Sequence, residues 1–119
     1  MTDLRKRTKE FAGRIIRLYV TLPPNRREVQ VVGHQMLRSG TSVGANYREA
    51  SRARSDAEFV SKIELCIQEA DETLYWLELL CDECGIHDDR VAWLEKEANE
   101  LISIFVTMSK KVKGKKDEG

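Results

Sequence analysis

Apolar residues recur at alternating spacings of three and four along four separate segments of this chain, a pattern that strongly constrains its fold. The spacing places them on one face of a helix, so each segment predicts an amphipathic helix packed along a seam. The chain's two prolines, Pro23 and Pro24, end the first segment, because proline lacks an N–H donor and clashes with the preceding turn. Short links between long helices make neighbours antiparallel. The sequence therefore predicts an all-α fold, an antiparallel up-down-up-down four-helix bundle over residues 1–113, with a disordered tail over residues 114–119.

The second segment carries glycine in or beside its seam, at Gly33, Gly40 and Gly44. Each glycine costs a helix about 1 kcal/mol relative to alanine, so a break into two helices at Gly40 is one interpretation. We favour a continuous helix, because the apolar stripe keeps its phase across Gly40. In that case the small residues would let a neighbouring helix approach closely.

Short motifs predict where the second and third helices begin. Asn25 is followed three residues later by Glu28, and Ser55 is followed in the same way by Glu58. This is the capping-box pattern, in which the first side chain accepts a hydrogen bond from a backbone N–H of the first helical turn. We therefore expect Asn25 and Ser55 to cap these two helices.

The net charge is zero, but the charges are segregated along the chain. Residues 1–54 hold twelve Lys and Arg against four Asp and Glu, a net charge of +8. Residues 55–109 hold three against fourteen, a net charge of −11, and the last ten residues carry +3. Such asymmetry indicates either a partner of one sign or two halves that face each other. Both interpretations remain open at this point.

Composition excludes several classes of protein. No stretch approaches the roughly 20 apolar residues that span a bilayer, so we expect no membrane segment. Three cysteines, an odd number, favour reduced thiols and a cytoplasmic location. The pair Cys81 and Cys84 with His87 resembles half of a zinc site, but the further ligands are missing and core thiols are the favoured interpretation. We expect no catalytic residue, no metal, no cofactor and no small-molecule substrate.

The run from Arg38 to Ala50, which reads RSGTSVGANYREA, lies between Gln35-Met36-Leu37 and Ser55-x-x-Glu58-Phe59. Together with residues 69–80, it resembles the bacterial 23S ribosomal RNA intervening-sequence proteins over about residues 11–105. The resemblance implies a four-helix protomer, a homo-oligomer that is typically a pentamer, and no enzymatic activity. A related accessory protein of diversity-generating retroelements binds a reverse transcriptase and nucleic acid. This chain departs from that relative in its near-neutral pI of about 6.7.

Polar residues of this motif form a first candidate site. Asn46 and Glu49 are three residues apart and share a helix face near the seam. With Arg38, Glu69 and Glu72 they predict a partly buried polar network, which would set helix register or subunit geometry because buried charges are tolerated only when paired. A ligand or RNA contact is the alternative interpretation.

Basic residues of the first two helices and of the C-terminal region form a second candidate site. Clustered cations bind nucleic acid because each phosphate that they neutralise releases counterions. Pairing with the carboxylates of the third and fourth helices is the alternative. The candidate nucleic-acid contacts are Arg14, Arg17, Arg48, Arg52, Arg54, Lys110, Lys111 and Lys113.

Aromatic residues in and beside the seams form a third candidate site, since Trp and Tyr often anchor interfaces. The candidate subunit contacts are Tyr47, Tyr75, Trp76 and Trp93. The favoured function is therefore a non-enzymatic homo-oligomeric module that recruits a protein partner. The alternative is an electrostatic RNA- or DNA-binding protein that uses the arginine face of the first two helices and the lysine tail.

Overall fold

The computed structural model describes residues 3–118, with side chains for residues 3–115, and over this range it contains four α-helices and no strand. The helices are α1 (Leu4–Tyr19), α2 (Arg27–Ser51), α3 (Asp56–Asp82) and α4 (Asp89–Glu118). Together they form a four-helix bundle 56 Å long and 24 × 21 Å across, which confirms the predicted fold class. Each helix contacts its sequence neighbours, and α1 also contacts α4, in the least extensive of these contacts.

The predicted seams form the core. Every seam residue of α1, from Leu4 to Leu18, is buried, and so is Leu22 in the following turn. Phe11, Ile15 and Phe105 are among the largest side chains that are fully enclosed. None of the four helices, as far as the structure describes them, is both long enough and apolar enough to cross a membrane.

α2 is continuous from Arg27 to Ser51, as the phase of its seam predicted. Its glycines lie where α1 packs closely against it. A β-carbon at Gly33 would lie 2.7 Å from Cδ1 of Leu22, and one at Gly40 would lie 2.8 Å from Cγ1 of Ile15. These contacts explain why glycine is present despite its low helix propensity.

One of the two predicted caps is present and the other is wrong. Ser55 caps α3, because its hydroxyl accepts a hydrogen bond from the Glu58 N–H over 3.1 Å. Asn25 does not cap α2: the N-cap is Arg26, whose backbone is extended and whose side chain accepts no capping bond. The Arg26 guanidinium instead donates a hydrogen bond to the Glu28 carboxylate over 2.8 Å. Glu28 therefore bonds to a side chain, and not to the backbone N–H of Asn25 as a capping box would require.

The C-terminal boundary also differs from the sequence prediction. The tail was expected to begin at Gly114, whereas α4 continues through Gly114 as far as Glu118. A single exposed glycine costs a helix only about 1 kcal/mol and does not by itself end one. Gly119, the last residue of the predicted tail, lies outside the described residues.

Candidate functional site

The helix directions bring the basic segments of the chain to one end of the bundle. In an up-down-up-down arrangement the N-terminus of α1 and the C-termini of α2 and α4 lie together, and Val112 of α4 lines the same cavity as Ser51 and Phe59. The exposed cations of this region define what we call the basic end: Arg5, Lys6, Lys9, Arg48, Arg52, Arg54, Lys110, Lys111, Lys113 and Lys115. Asp3, Glu49, Asp56 and Glu58 lie at the same end.

Three of the predicted nucleic-acid contacts are engaged with other side chains. Arg14 Nε donates to Glu10 over 2.9 Å, and its guanidinium lies 4.0 Å from the ring centre of Trp93. Arg17 also approaches Glu10, at 3.7 Å, and Lys113 donates to Glu64 over 2.6 Å. These residues are therefore partly neutralised by pairing. Only Lys113 pairs with a carboxylate of α3, as the alternative interpretation of the charge pattern requires, whereas Arg14 and Arg17 pair within α1.

The other five predicted contacts form no ion pair among the described side chains. Arg48, Arg52 and Arg54 are exposed near the C-terminus of α2, and Lys110 and Lys111 are exposed near the C-terminus of α4. Their charges thus face solvent at the basic end. The eight predicted contacts therefore form two groups: three that are paired with carboxylates, and five that are exposed and available to an anionic partner.

The opposite end of the bundle is acidic. The C-terminus of α3 and the N-terminus of α4 meet there and bring Glu78, Asp82 and Glu95 close together. Burial, followed by repulsion from Glu78 and Asp82, raises the pKa of the Glu95 carboxyl. Arg26, Arg27 and Arg90 lie at this end too, where Arg26 pairs with Glu28 and Arg90 pairs with Asp88. Acidic residues nevertheless outnumber cations at this end of the bundle.

The predicted polar network forms only in part. Arg38 pairs with Glu72 and, at 3.5 Å, with Glu69, so these three residues lie together across the α2–α3 contact. The side chains of Arg38, Glu72 and Glu69 are 46%, 36% and 21% exposed, so this cluster lies at the surface and is only partly buried. Hydrogen bonding from Arg38 to Glu72 raises the pKa of the Arg38 guanidinium.

The other two residues of the predicted network lie apart from that cluster. Asn46 Nδ2 donates to the Ser42 carbonyl of its own helix over 3.0 Å. Glu49 forms a separate ion pair with Lys62 of α3 at 2.9 Å. The expected single network is therefore a surface cluster, a separate ion pair and a local hydrogen bond.

A partly buried ion pair that the sequence patterns did not indicate joins α1 to α4. Arg7 Nε and Nη2 donate to the two oxygens of Glu97 over 2.8 and 2.7 Å, and Nη2 also donates to Glu100 over 2.9 Å. The Glu97 side chain is only 9% exposed. The hydrogen bond from Arg7 lowers the pKa of Glu97. The sequence does contain one indication that Glu97 is buried. It lies three residues after Leu94 and four before Leu101, so it falls on the helix face that carries the seam.

The predicted interface aromatics do not share one surface. Tyr47 is half-buried with its ring centre 6.0 Å from that of Phe105, and burial raises its pKa. Trp93 lies beside α1 under Arg14. Tyr75 packs edge-on against Trp76 at 5.0 Å and is 53% exposed. Of the four aromatic residues, Tyr75 has the largest exposed fraction and is the most accessible to a partner.

The cysteines occupy the core or its border. Cys66 is fully buried, and burial raises the pKa of its thiol to about 12. Cys84 is 5% exposed, while Cys81 is half-buried with its sulfur 3.5 Å from Nδ1 of His87. In the part of the chain that the structure describes, no three His, Cys, Asp or Glu side chains converge as metal ligands.

The family model described as 23S rRNA-intervening sequence protein matches residues 2–107. The chain belongs to the 23S rRNA-intervening sequence protein family. It is also similar to the crystal structure of a protein of unknown function from the S23 ribosomal protein family of Bacteroides thetaiotaomicron VPI-5482, with 39% sequence identity and a TM-score of 0.81. That match covers 89% of this chain and 97% of the other, whereas no curated protein matches.

In this 23S rRNA-intervening sequence protein, several residues of the Arg38–Ala50 motif lie at helix contacts. Gly40 and Gly44 face α1 at close range, whereas the hydroxyl of Ser39 accepts a hydrogen bond from Thr73 of α3 over 2.8 Å. The motif thus joins α2 to both of its neighbours. These contacts give the motif a packing role in this chain.

Proposed function

We propose that this family member is a non-enzymatic protein that binds nucleic acid electrostatically, with the basic end of the bundle against the phosphate backbone. The supporting observation is that Arg48, Arg52, Arg54, Lys110 and Lys111 converge at one end without an ion pair among the described side chains. Exposed, unpaired cations gain affinity by displacing condensed counterions from phosphates. The family name refers to 23S rRNA, which makes structured RNA the first probe to use.

The uneven distribution of charge between the two ends is compatible with this proposal despite a pI of about 6.7. A neutral protein has no long-range attraction as a whole, but a local cationic surface acts within a Debye length of about 8–10 Å at physiological salt. The acidic end would repel RNA and orient the bundle with its basic end inward. Binding should therefore be strongly dependent on salt.

Fluorescence anisotropy with a labelled RNA hairpin over a range of salt concentrations tests the proposal. The double variant Arg52→Ala with Arg54→Ala should weaken binding and reduce the slope of log K against log salt by up to about two. The matched control is Arg26→Ala with Arg27→Ala, which removes two charges from the other end of the same helix and should leave binding unchanged. Absence of binding at low salt by folded protein, or equal loss in both variants, would contradict the proposal.

A second candidate function is a homo-oligomeric module that recruits a protein partner. It is favoured by Tyr75, which is 53% exposed against Trp76 on the outer face of α3, since aromatic side chains are enriched at interfaces. We propose that copies of the chain associate through this aromatic pair and, by family resemblance, form a pentamer.

Light scattering tests this second candidate. A pentamer would have five times the 13.7 kDa protomer mass, and Tyr75→Ser should reduce the subunit number. The control Val20→Ser alters a residue that is even more exposed, at 71%, and should not. A mass equal to one protomer for the parent protein would refute self-association.

We also propose that the protein acts in the cytoplasm without a cofactor. The three cysteines are free thiols, a state that a reducing compartment maintains. Alkylation of intact cells followed by mass spectrometry would test this, and disulfide-linked cysteine in the native protein would contradict it.

A further inference from the structure

A groove between α1 and α2 combines cations with small side chains. Its volume is about 400 Å³. The residues that line it are Arg5, Thr8, Lys9, Ala12, Thr41, Gly44, Ala45 and Arg48. Four other cavities on the bundle each include at least one carboxylate, among them Glu97, Glu100, Asp56 and Glu58. The α1–α2 groove differs in having three cations in its lining and no carboxylate.

We infer that this groove seats a phosphate group of a bound nucleic-acid backbone, an assignment that rests on the proposed function and identifies where its specific contact lies. Arg5 and Lys9 are four residues apart, so they lie on the same face of α1, and Arg48 faces them from α2. None of the three forms an ion pair with a described side chain. Cations from two helices thus converge on one concave site, which suits a phosphodiester oxygen pair.

The small residues explain why the groove is open. Gly44, Ala45 and Ala12 present little or no side chain between the two helices. The floor is closely packed, because a β-carbon at Gly44 would lie 3.3 Å from Oγ1 of Thr8. Thr8 and Thr41 donate their hydroxyl protons to carbonyls of their own helices, at 2.6 and 2.8 Å from Leu4 and Leu37. The threonines therefore shape the floor, and the three cations supply the attraction for an anion.

The groove is part of the basic end, because its three cations, Arg5, Lys9 and Arg48, belong to both. Arg52 follows Arg48 by four residues and lies one helical turn further toward that end. A nucleic-acid strand that contacts Arg52 could therefore place a neighbouring phosphate in the groove. A concave site adds positional specificity to an otherwise diffuse electrostatic contact, because phosphate contacts set the register of a nucleic acid on a protein.

Two substitutions in the groove test this inference by RNA-hairpin anisotropy. Arg48→Ala should weaken binding roughly fivefold and lower the salt slope by about one. Ala45→Glu places a carboxylate at the exposed groove wall and should weaken binding more than Ala45→Gln, which adds nearly the same bulk without charge. Arg27→Ala, at the other end of α2, is the control for loss of one arginine and should bind like the parent.

The possible results separate the groove from the wider proposal. If Arg48→Ala and Ala45→Glu bind RNA like the parent while the Arg52→Ala, Arg54→Ala variant is weakened, the groove assignment is wrong and the proposed function stands. If the parent protein binds no RNA at low salt, both fail. The amide resonances of Gly44 and Ala45 should shift on addition of RNA. If inorganic phosphate alone saturates those shifts and RNA does not displace it, the groove is a small-anion site and the inference is overturned.

Discussion

Gly40 lies directly against Ile15, so that a β-carbon at position 40 would be 2.8 Å from Cγ1 and 3.0 Å from Cγ2 of the isoleucine. Real β-carbons are not found so close to other atoms, and Ile15 is fully buried with little room to move. The close α1–α2 approach therefore depends on the absence of a side chain at Gly40.

We expect Gly40→Ala to lower the free energy of unfolding by about 1–3 kcal/mol, because overpacking outweighs the gain in helix propensity. Gly13→Ala is the matched control in α1. Its β-carbon would meet only the mobile guanidinium of Arg17, at 3.2 Å, so this variant should be unchanged or stabilised by up to about 1 kcal/mol. Urea denaturation measures both, and a Gly40→Ala protein as stable as the parent would contradict the packing argument.

The Arg7–Glu97 pair predicts a specific loss of stability in acid. Its hydrogen bond lowers the pKa of Glu97 in the folded state, so the pair stabilises fully above the unfolded pKa of about 4.3 and is lost as pH falls through the lower folded pKa. Glu97→Gln should cost about 1–3 kcal/mol at pH 7, and the difference from the parent should shrink toward pH 3.

The control for this prediction is Glu100→Gln, which changes the exposed partner of the same arginine. The Glu100 side chain is 53% exposed, so its removal should cost no more than about 1 kcal/mol. Urea denaturation from pH 7 down to pH 3 provides the measurement. A difference between the parent and Glu97→Gln that stays constant or grows in acid would show that the ion pair is not its source.

Local patterns in the sequence predict most of the fold, because a helix seam is a property of residues three and four apart. The buried residues from Leu4 to Phe105 follow these seams closely. Helix ends are less predictable: the N-cap of α2 is Arg26, one residue after the Asn25 that the capping-box pattern indicated. At the C-terminus, no local signal distinguished a tail from the continuation of α4 through Gly114.

The candidate sites depend on contacts between distant residues and were predicted less completely. Arg38 meets Glu69 and Glu72 because the register of α2 against α3 brings residues 31 and 34 positions apart together. Arg7 and Glu97 are 90 positions apart in the chain, so no local pattern links them. A glutamate is also expected to be exposed even where it falls on a helix seam. The α1–α2 groove likewise becomes visible only when the two helices are placed side by side.

The thiols should react in an order set by burial. Cys66 is enclosed, and its raised pKa of about 12 leaves almost no thiolate at pH 8, whereas Cys81 is half-buried. In folded protein we expect Ellman's reagent to label Cys81 first and Cys66 only at the rate of unfolding. Labelling of Cys81→Ser and Cys66→Ser variants identifies each phase, and equal rates for both thiols in native conditions would contradict the buried position of Cys66.

The hydroxyls of Thr73 and Ser39 should be energetically coupled across the α2–α3 contact. Both residues are fully buried, and Thr73 donates to Ser39 over 2.8 Å. Thr73→Val should cost about 1 kcal/mol, because the fully buried Ser39 oxygen then loses this donor. Ser39→Ala should cost a similar amount.

The double variant should cost less than the sum of the two single variants, since removing both partners leaves no unsatisfied group. Urea denaturation of the parent, the two single variants and the double variant gives the coupling energy. Strict additivity would contradict the coupling. Each hydroxyl would then depend only on a carbonyl of its own helix, that of Glu69 for Thr73 and that of Gln35 for Ser39.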